Sequence, residues 1–384
     1  MYRLPFCLFI VFSFSVSIGL FLTIPQTPLV IASQPTSLHP RTSAQRTANS
    51  ESQGTLFWIR MYLPTKFTSK RTSGIAFDRK ATNIALASIN AGSDNMLRSL
   101  DGGRTWSALP NWNPSDTRFS FTVTYGGQSG VFYAWGGTQI YKTTDYGDSW
   151  TLVPYWDLCG QILSFKNHPT QPDIFYVIGS NAFTWSFDGG QTWNPDPGVF
   201  GGCFGGTRVI SLDVGTDQPN IVYRRIERTP ISESLQRSDD QGKTWKNINI
   251  DVSVGQIIVD PRNADTVFAL GGGGTVYKTT NGGQQWTAIT QGLDNILFSS
   301  LYFDEQTYTL YGMTMEQIYF LKDGSNQWQI QKAYVPPQIS TFRQSFRLVI
   351  HPQNKEHFFI YSADGIFFGQ PERDRSMIPI IYLW

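Results

Sequence analysis

The chain has 384 residues, with 30 Lys+Arg against 29 Asp+Glu, a net charge of +1 and only 15% charged residues. No basic block or acidic tail stands out, which excludes a charge-driven nucleic-acid or polyanion partner. Three cysteines, Cys7, Cys159 and Cys203, show no C-x-x-C spacing, so no metal or other cofactor is expected. Aromatics at 15%, with 35 Gly and 21 Pro, suit many short strands joined by turns.

Residues 1–33 begin with a positive Arg3, run apolar from Phe6 to Ile24 with few polar interruptions, and end near Val30-Ile31-Ala32. This reads as a secretory signal; an uncleaved membrane anchor is the alternative, since roughly 18 apolar residues can span a bilayer. Either way the folded part is expected outside the cell or in the envelope, touching membrane only through this segment. Residues 34–54, rich in Ser, Thr, Gln and Pro, read as a disordered spacer. The folded domain is then 55–384, expected as a monomer.

One phrase recurs through that domain. Ser99-Leu-Asp101-Gly-Gly103-Arg-Thr105-Trp106 returns as Thr143-Thr-Asp145-Tyr-Gly147-Asp-Ser149-Trp150, then as Ser186-Phe-Asp188-Gly-Gly190-Gln-Thr192-Trp193 and Ser238-Asp-Asp240-Gln-Gly242-Lys-Thr244-Trp245. Weaker copies end at Trp286, with Asn281 in place of the acid, and at Trp328, with Asp323 kept and the glycine shifted. The tryptophans stand 44, 43, 52, 41 and 42 residues apart, the period of a propeller blade. The preamble Gly255–Pro261, Asp265–Leu270, Thr275–Thr279 and Gln285–Ile289 supplies four strand-length runs, one antiparallel sheet per repeat.

Inner strands are expected near Ile75, Phe121, Ile162, Val209, Ile257, Ser300 and Leu348, each buried on both faces. The fold class is therefore all-β: one seven-bladed β-propeller with four antiparallel strands per blade and the repeated turn between the third and fourth. The seventh blade lacks that turn and needs a fourth strand. Leu56-Phe-Trp58-Ile-Arg-Met-Tyr-Leu63 would close the ring from the N-terminal side, and Met377–Leu383 is its rival. Within the turn, the acid can accept backbone N–H groups, glycine permits positive φ, and tryptophan packs between sheets. Calcium is disfavoured because each copy offers one carboxylate and the ion prefers six to eight oxygens.

These residues resemble the Asp-box, or BNR repeat, of sialidases, other propeller glycosidases, sortilin-type receptors and photosystem II assembly factors. The resemblance covers roughly residues 55–370 and implies that Asp101, Asp145, Asp188, Asp240, Asn281 and Asp323 are structural. It also implies that ligands use the face without boxes. That face is expected to collect Trp112, Tyr155, Trp156, Phe200 and Phe204, plus an insertion at Arg224–Gln236. Arg118, Arg208 and Arg347 start inner strands near the channel mouth, where converging guanidinium groups suit an anionic ligand; strand capping is the plainer alternative. Ligand-binding candidates are thus Arg118, Arg208, Arg347, Trp112 and Trp156.

Cys159 and Cys203 precede consecutive inner strands and either form a disulfide or pack as two thiols. His168 and His351 precede prolines where another blade has Asp260-Pro261, which marks them as turn residues. No catalytic residue is assigned. The Phe/Tyr-Arg-Ile-Pro signature of sialidases does not occur between Thr55 and Leu100, and nothing in the spacing selects a pair among Glu227, Glu233, Asp157 and Glu316. Xyloglucan-degrading propellers use two rings, and this chain has length for one. The expected function is an exported, non-catalytic platform for a protein or other ligand; the alternative is a sialidase-like glycoside hydrolase or a carbohydrate-binding propeller.

Overall fold

Seven four-stranded antiparallel sheets follow one another along the chain. The computed structural model describes residues 56–371 except 62, 64–70, 91–95, 116–118, 155–159, 169–170, 181, 197–206, 216, 219, 229–231, 315, 335–346 and 363. The signal or anchor, the spacer and the Met377–Leu383 segment lie outside the described residues. The first blade is typical: Thr72–Phe77 runs innermost, then Ala85–Ile89, Met96–Ser99 and the short outer strand Ser107–Ala108. The inner strands of blades two to seven are Thr122–Tyr125, Ile162–Asn167, Thr207–Val214, Val254–Asp260, Ser300–Asp304 and Arg347–Ile350. All seven expected centres fall in or directly beside these strands.

The burial pattern corrects one expectation. The fully buried strands are the second ones, such as Ala85–Ile89 and Phe175–Gly179, in which every residue is buried. Inner strands keep one face toward the central channel, so Thr122, Thr124 and Tyr125 are only half-buried and Leu163 is exposed. A second strand is covered by a sheet on either side; an inner strand borders water. The apolar core is accordingly seven slabs, each shared by two adjacent blades. Trp106 of blade one, for example, packs with Phe359 and Phe368 of blade seven.

The ring closes between Leu56–Arg60 and Gly365–Pro371, the N-terminal strand becoming the outer strand of blade seven. Trp58 stands opposite Gly369. In blade one Ser107 pairs with Arg98, which sets Trp106 opposite Ser99, so Trp58 holds the place of a box tryptophan. It packs on the slab between blades six and seven. The seventh turn is thus a split one. Gly369 and Pro371 replace the hydroxyl residue and the acid, and the outer half arrives from the other end of the domain.

The 52-residue spacing around blade four has a different cause from a loop. Val222–Arg228 and Ser232–Ser238 pair over their full length, so the insertion lengthens a hairpin. Its base is buried: Arg224 is 3% and Gln236 6% exposed.

Candidate functional site

Four turns show the same wiring. In blade three Ser186 Oγ donates to Asp188 Oδ1 at 2.8 Å, the Thr192 amide donates to the same oxygen at 2.9 Å, and Thr192 Oγ1 donates to Oδ2 at 2.5 Å. The Gly190 amide in turn donates to Ser186 Oγ at 2.8 Å. Asp101, Asp145 and Asp240 repeat the pattern. Each carboxylate is engaged by its own turn. The Thr192 hydroxyl and amide hold Asp188 down at a pKa of about 2. Burial alone would raise Asp240, yet the Thr244 hydroxyl and amide outweigh it and lower it. Asn281 accepts from Thr279 and from the Gln285 amide with one oxygen only.

Asp323 departs from its expected role. Its two oxygens take a bidentate fork from Arg262 of blade five, at 2.6 and 2.7 Å. Arg262 does most to hold the Asp323 charge, with the Gly324 amide a lesser contributor. The acid therefore bridges blades here, where elsewhere it caps a turn.

Strand alternation puts these turns on one face and the starts of the inner strands on the other. On the box-free face, Arg208 and Arg347 are exposed. Arg208 pairs with Glu227 at 2.8 Å, directly across the strand pair. Glu227 in turn stands opposite Glu233, which accepts from Arg225 at 2.6 Å and from Ser253 Oγ at 2.6 Å. The hairpin tip therefore presents two facing carboxylates, each tied to its own arginine. The Ser253 hydroxyl and Arg225 hold Glu233 below the usual range. Sequence spacing could not select this pair, because the lengthened hairpin brings it into register.

Trp112 corrects a further expectation. It is 4% exposed and packs edge-on against Trp150, Phe121 and Tyr141 at 4.9–5.3 Å between ring centres. The loop folds it under the neighbouring blade, so it offers no face to a ligand. Arg118, Tyr155, Trp156, Phe200, Phe204 and both Cys159 and Cys203 lie outside the described residues.

The opposite end of the channel carries charges that the sequence reading missed. Two adjoining cavities of about 360 and about 400 Å³ share walls at Arg79, Tyr125, Tyr302 and Glu305. Arg79, just past the first inner strand, pairs with Glu305, just past the sixth. Lys166 pairs with Asp213 at 2.6 Å, and Asp213 also accepts the Val259 amide at 2.8 Å. Burial opposes charge on both basic groups, but Glu305 raises Arg79 and Asp213 raises Lys166. Burial likewise works against the Glu305 charge, and Arg79 outweighs it to lower the carboxyl. Glu305 also feels Lys166, so the four charges form one alternating network across the box-side mouth. Arg79 and Glu305 sit just past inner strands, and Lys166 and Asp213 next to the last residues of theirs, where a lone charge in the sequence looks like ordinary solvated surface.

The histidines act as turn caps. His351 Nδ1 accepts the Gln353 and Asn354 amides at 3.2 and 3.0 Å, and His168 Nδ1 accepts the Gln171 amide at 3.1 Å. Asp78 does the same with Lys80 and Ala81. An accepting Nδ1 requires the neutral ring. Burial, His357 and Lys355 push His351 down to about 4. Among the described residues no cluster of three or more His, Cys, Asp or Glu could hold a metal ion.

A closed ring of seven such four-stranded blades is a β-propeller, and its turns resemble the Asp-box. The BNR/Asp-box repeat family model matches residues 236–247. In sequence the chain is 30% identical over 155 residues to a xyloglucanase of Hypocrea jecorina (strain QM6a), a match covering 40% of this chain and 17% of that protein. In structure it is similar to YCF48 from Cyanidioschyzon merolae, with 15% identity, a TM-score of 0.57, and 82% of this chain against 99% of that one. A YCF48 bound to D1 peptide superposes with a TM-score of 0.56 and 14% identity, over 83% and 98%. The GH74 xyloglucanase from Xanthomonas campestris gives a TM-score of 0.56 at 14% identity, over 83% of this chain but 54% of its own. The chain thus shares its fold with both the YCF48 and the GH74 propellers, its match spanning 17% of the curated xyloglucanase and 54% of the solved one.

Proposed function

We propose that this chain is an exported, single-ring binding propeller whose box-free face holds a segment of a partner protein, without hydrolysing it. The observation behind this reading is the state of the acids. A glycosidase needs one carboxyl held protonated as general acid. Among the described residues every carboxylate whose pKa clearly departs from the usual range departs downward. The facing pair Glu227 and Glu233 is neutralised by Arg208 and Arg225. Near-complete overlap with a YCF48 chain bound to a peptide favours the same reading.

The carbohydrate reading has its own observation, and by sequence the relatives favour it over the first: the curated protein matched is a xyloglucanase. One experiment separates the two. The full chain is assayed for reducing-sugar release from xyloglucan, and for binding to xyloglucan and to immobilised peptide libraries. Peptide binding weakened about tenfold by Arg347→Ala, with no sugar release, supports the platform. Sugar release abolished by Glu227→Gln or Glu233→Gln would overturn it. Binding of xyloglucan without turnover would assign the face to a carbohydrate.

A further inference from the structure

The two adjoining cavities at the box-side end of the channel, of about 360 and about 400 Å³, draw lining residues from all seven blades, from Arg79 of blade one to Val349 of blade seven. They are two chambers of one channel, and Arg79 and Glu305 stand in the wall they share. The chambers differ in character. One is polar, lined by Lys166, Ser211, Asp213 and Gln256. The other is faced by Tyr125, Trp135, Tyr302 and Tyr361, all half-buried, so each ring keeps part of its surface open.

In the polar chamber most hydrogen-bonding groups are spent on the ring itself. Ser211 Oγ accepts the Ile257 amide at 3.2 Å, and Gln256 exchanges two bonds with the Leu301 backbone at 2.9 and 3.0 Å. Asp213 takes Lys166 on one oxygen and the Val259 amide on the other. The two bases are not spent. A guanidinium has five N–H donors and an ammonium three, yet among the described residues the Arg79 side chain donates only to Glu305 and Lys166 only to Asp213. Both bases are 43% exposed, against 30% for Glu305 and 10% for Asp213, so the channel meets the cations first. Asp78 and Asp304, whose charges reach Tyr125 and Glu305, are buried and held by turn amides, Thr307 and Lys355. Burial opposes the Lys166 charge, Asp213 more than restores it, and Arg79 still repels it. Arg79 and Lys166 line the same chamber, where one anion would answer both.

We propose that these chambers bind a small aromatic monocarboxylate, its carboxylate between Arg79 and Lys166 and its ring among Tyr125, Trp135, Tyr302 and Tyr361. Guanidinium and ammonium supply the charge-assisted bonds that such a head group needs, and the open aromatic faces supply apolar area with ring-to-ring contacts. Chambers of this size suit a compact small molecule. Glu305, tied to Arg79 in the shared wall, repels further negative charge, which favours a monoanion over phosphate.

The test uses the full chain with phenylacetate as probe, and 2-phenylethanol as a similar body without the charge. Calorimetry is expected to show phenylacetate binding at about 1 mM or tighter, and 2-phenylethanol at least about tenfold weaker. Lys166→Met should weaken phenylacetate about tenfold or more, as should the pair Arg79→Gln with Glu305→Gln, which strands no charge. Equal binding of the two compounds, inorganic phosphate bound in preference to phenylacetate, or indifference to these changes overturns the proposal. Photolabelling of the unaltered chain with 4-azidophenylacetate tests the place directly, whatever the variants do to folding. Label is expected on peptides carrying Tyr125, Trp135, Tyr302 or Tyr361; label confined to other peptides, or none at all, overturns it.

Discussion

Arg224→Ala is the sharpest perturbation of this ring. The side chains of Arg224 and Asp196 are 4% and 5% exposed and form an ion pair across blades. Gln236 accepts from Arg224 Nε at 2.9 Å, and the guanidinium stacks 3.8 Å from the Trp245 ring. Removing one member of a buried pair costs about 3–5 kcal/mol because the other charge stays behind, and the lost stacking adds roughly 1 kcal/mol. Arg224→Ala should therefore cost about 5 kcal/mol. Asp196→Ala should cost about 4 kcal/mol, since the guanidinium keeps its stacking. The double variant leaves no stranded charge and should cost at least 2 kcal/mol less than the two losses combined. Urea unfolding of the four proteins measures this coupling, and 0.5 M NaCl should barely alter it, since buried pairs are weakly screened. Additivity within about 0.5 kcal/mol would refute the reasoning.

Trp328 is 2% exposed and donates Nε1 to the Ile289 carbonyl at 3.1 Å; Trp328→Ala should cost about 3–5 kcal/mol in the same urea assay. Gly103 has φ +86° and no room beside the Phe359 ring, so Gly103→Ala should cost more than about 2 kcal/mol by calorimetry. Gln241 sits at φ +65°, and Gln241→Gly should be neutral or stabilise by up to about 1 kcal/mol. For His351, the folded pKa of about 4 lies below the ordinary 6.5, so the unfolded chain binds the extra proton. Its contribution is complete above pH 6.5 and falls away as pH drops toward 4, by roughly 2 kcal/mol after solvent screening. His351→Asn should flatten that part of the stability–pH curve.

The fold was legible because the repeated turn is a local object. Hydroxyl residue, acid, glycine and tryptophan sit within eight positions, and in the four full copies the bonds to the acid close inside that span. Even there, the acid drew attention while Ser186 and its equivalents, which receive the glycine amide and hold the carboxylate, passed as strand residues. The candidate site was less legible because its relations run between blades. Trp112 looked like a loop aromatic until the second blade covered it. Arg79 and Glu305 lie more than two hundred residues apart, and only the ring brings them together. Asp323 shows the limit from the other side: the motif was kept in part, and a neighbour's Arg262 claimed the acid.

The closure of the ring also dictates an order of events during synthesis. Among the described strands Leu56–Arg60 is made first, yet its partner Gly365–Pro371 is made last. Bringing ends about 315 residues apart together costs about 4 kcal/mol more entropy than turning a four-residue hairpin. Until then an emerging Leu-Phe-Trp-Ile strand has no sheet to join, and an unpaired apolar edge of that kind invites aggregation. Blades one to six can each assemble from consecutive residues, so the nascent chain accumulates an open arc that snaps shut only at the end. Cutting the chain between blades and joining the present ends through a linker would turn this last, most distant pairing into a nearby one and should speed folding without changing the finished ring.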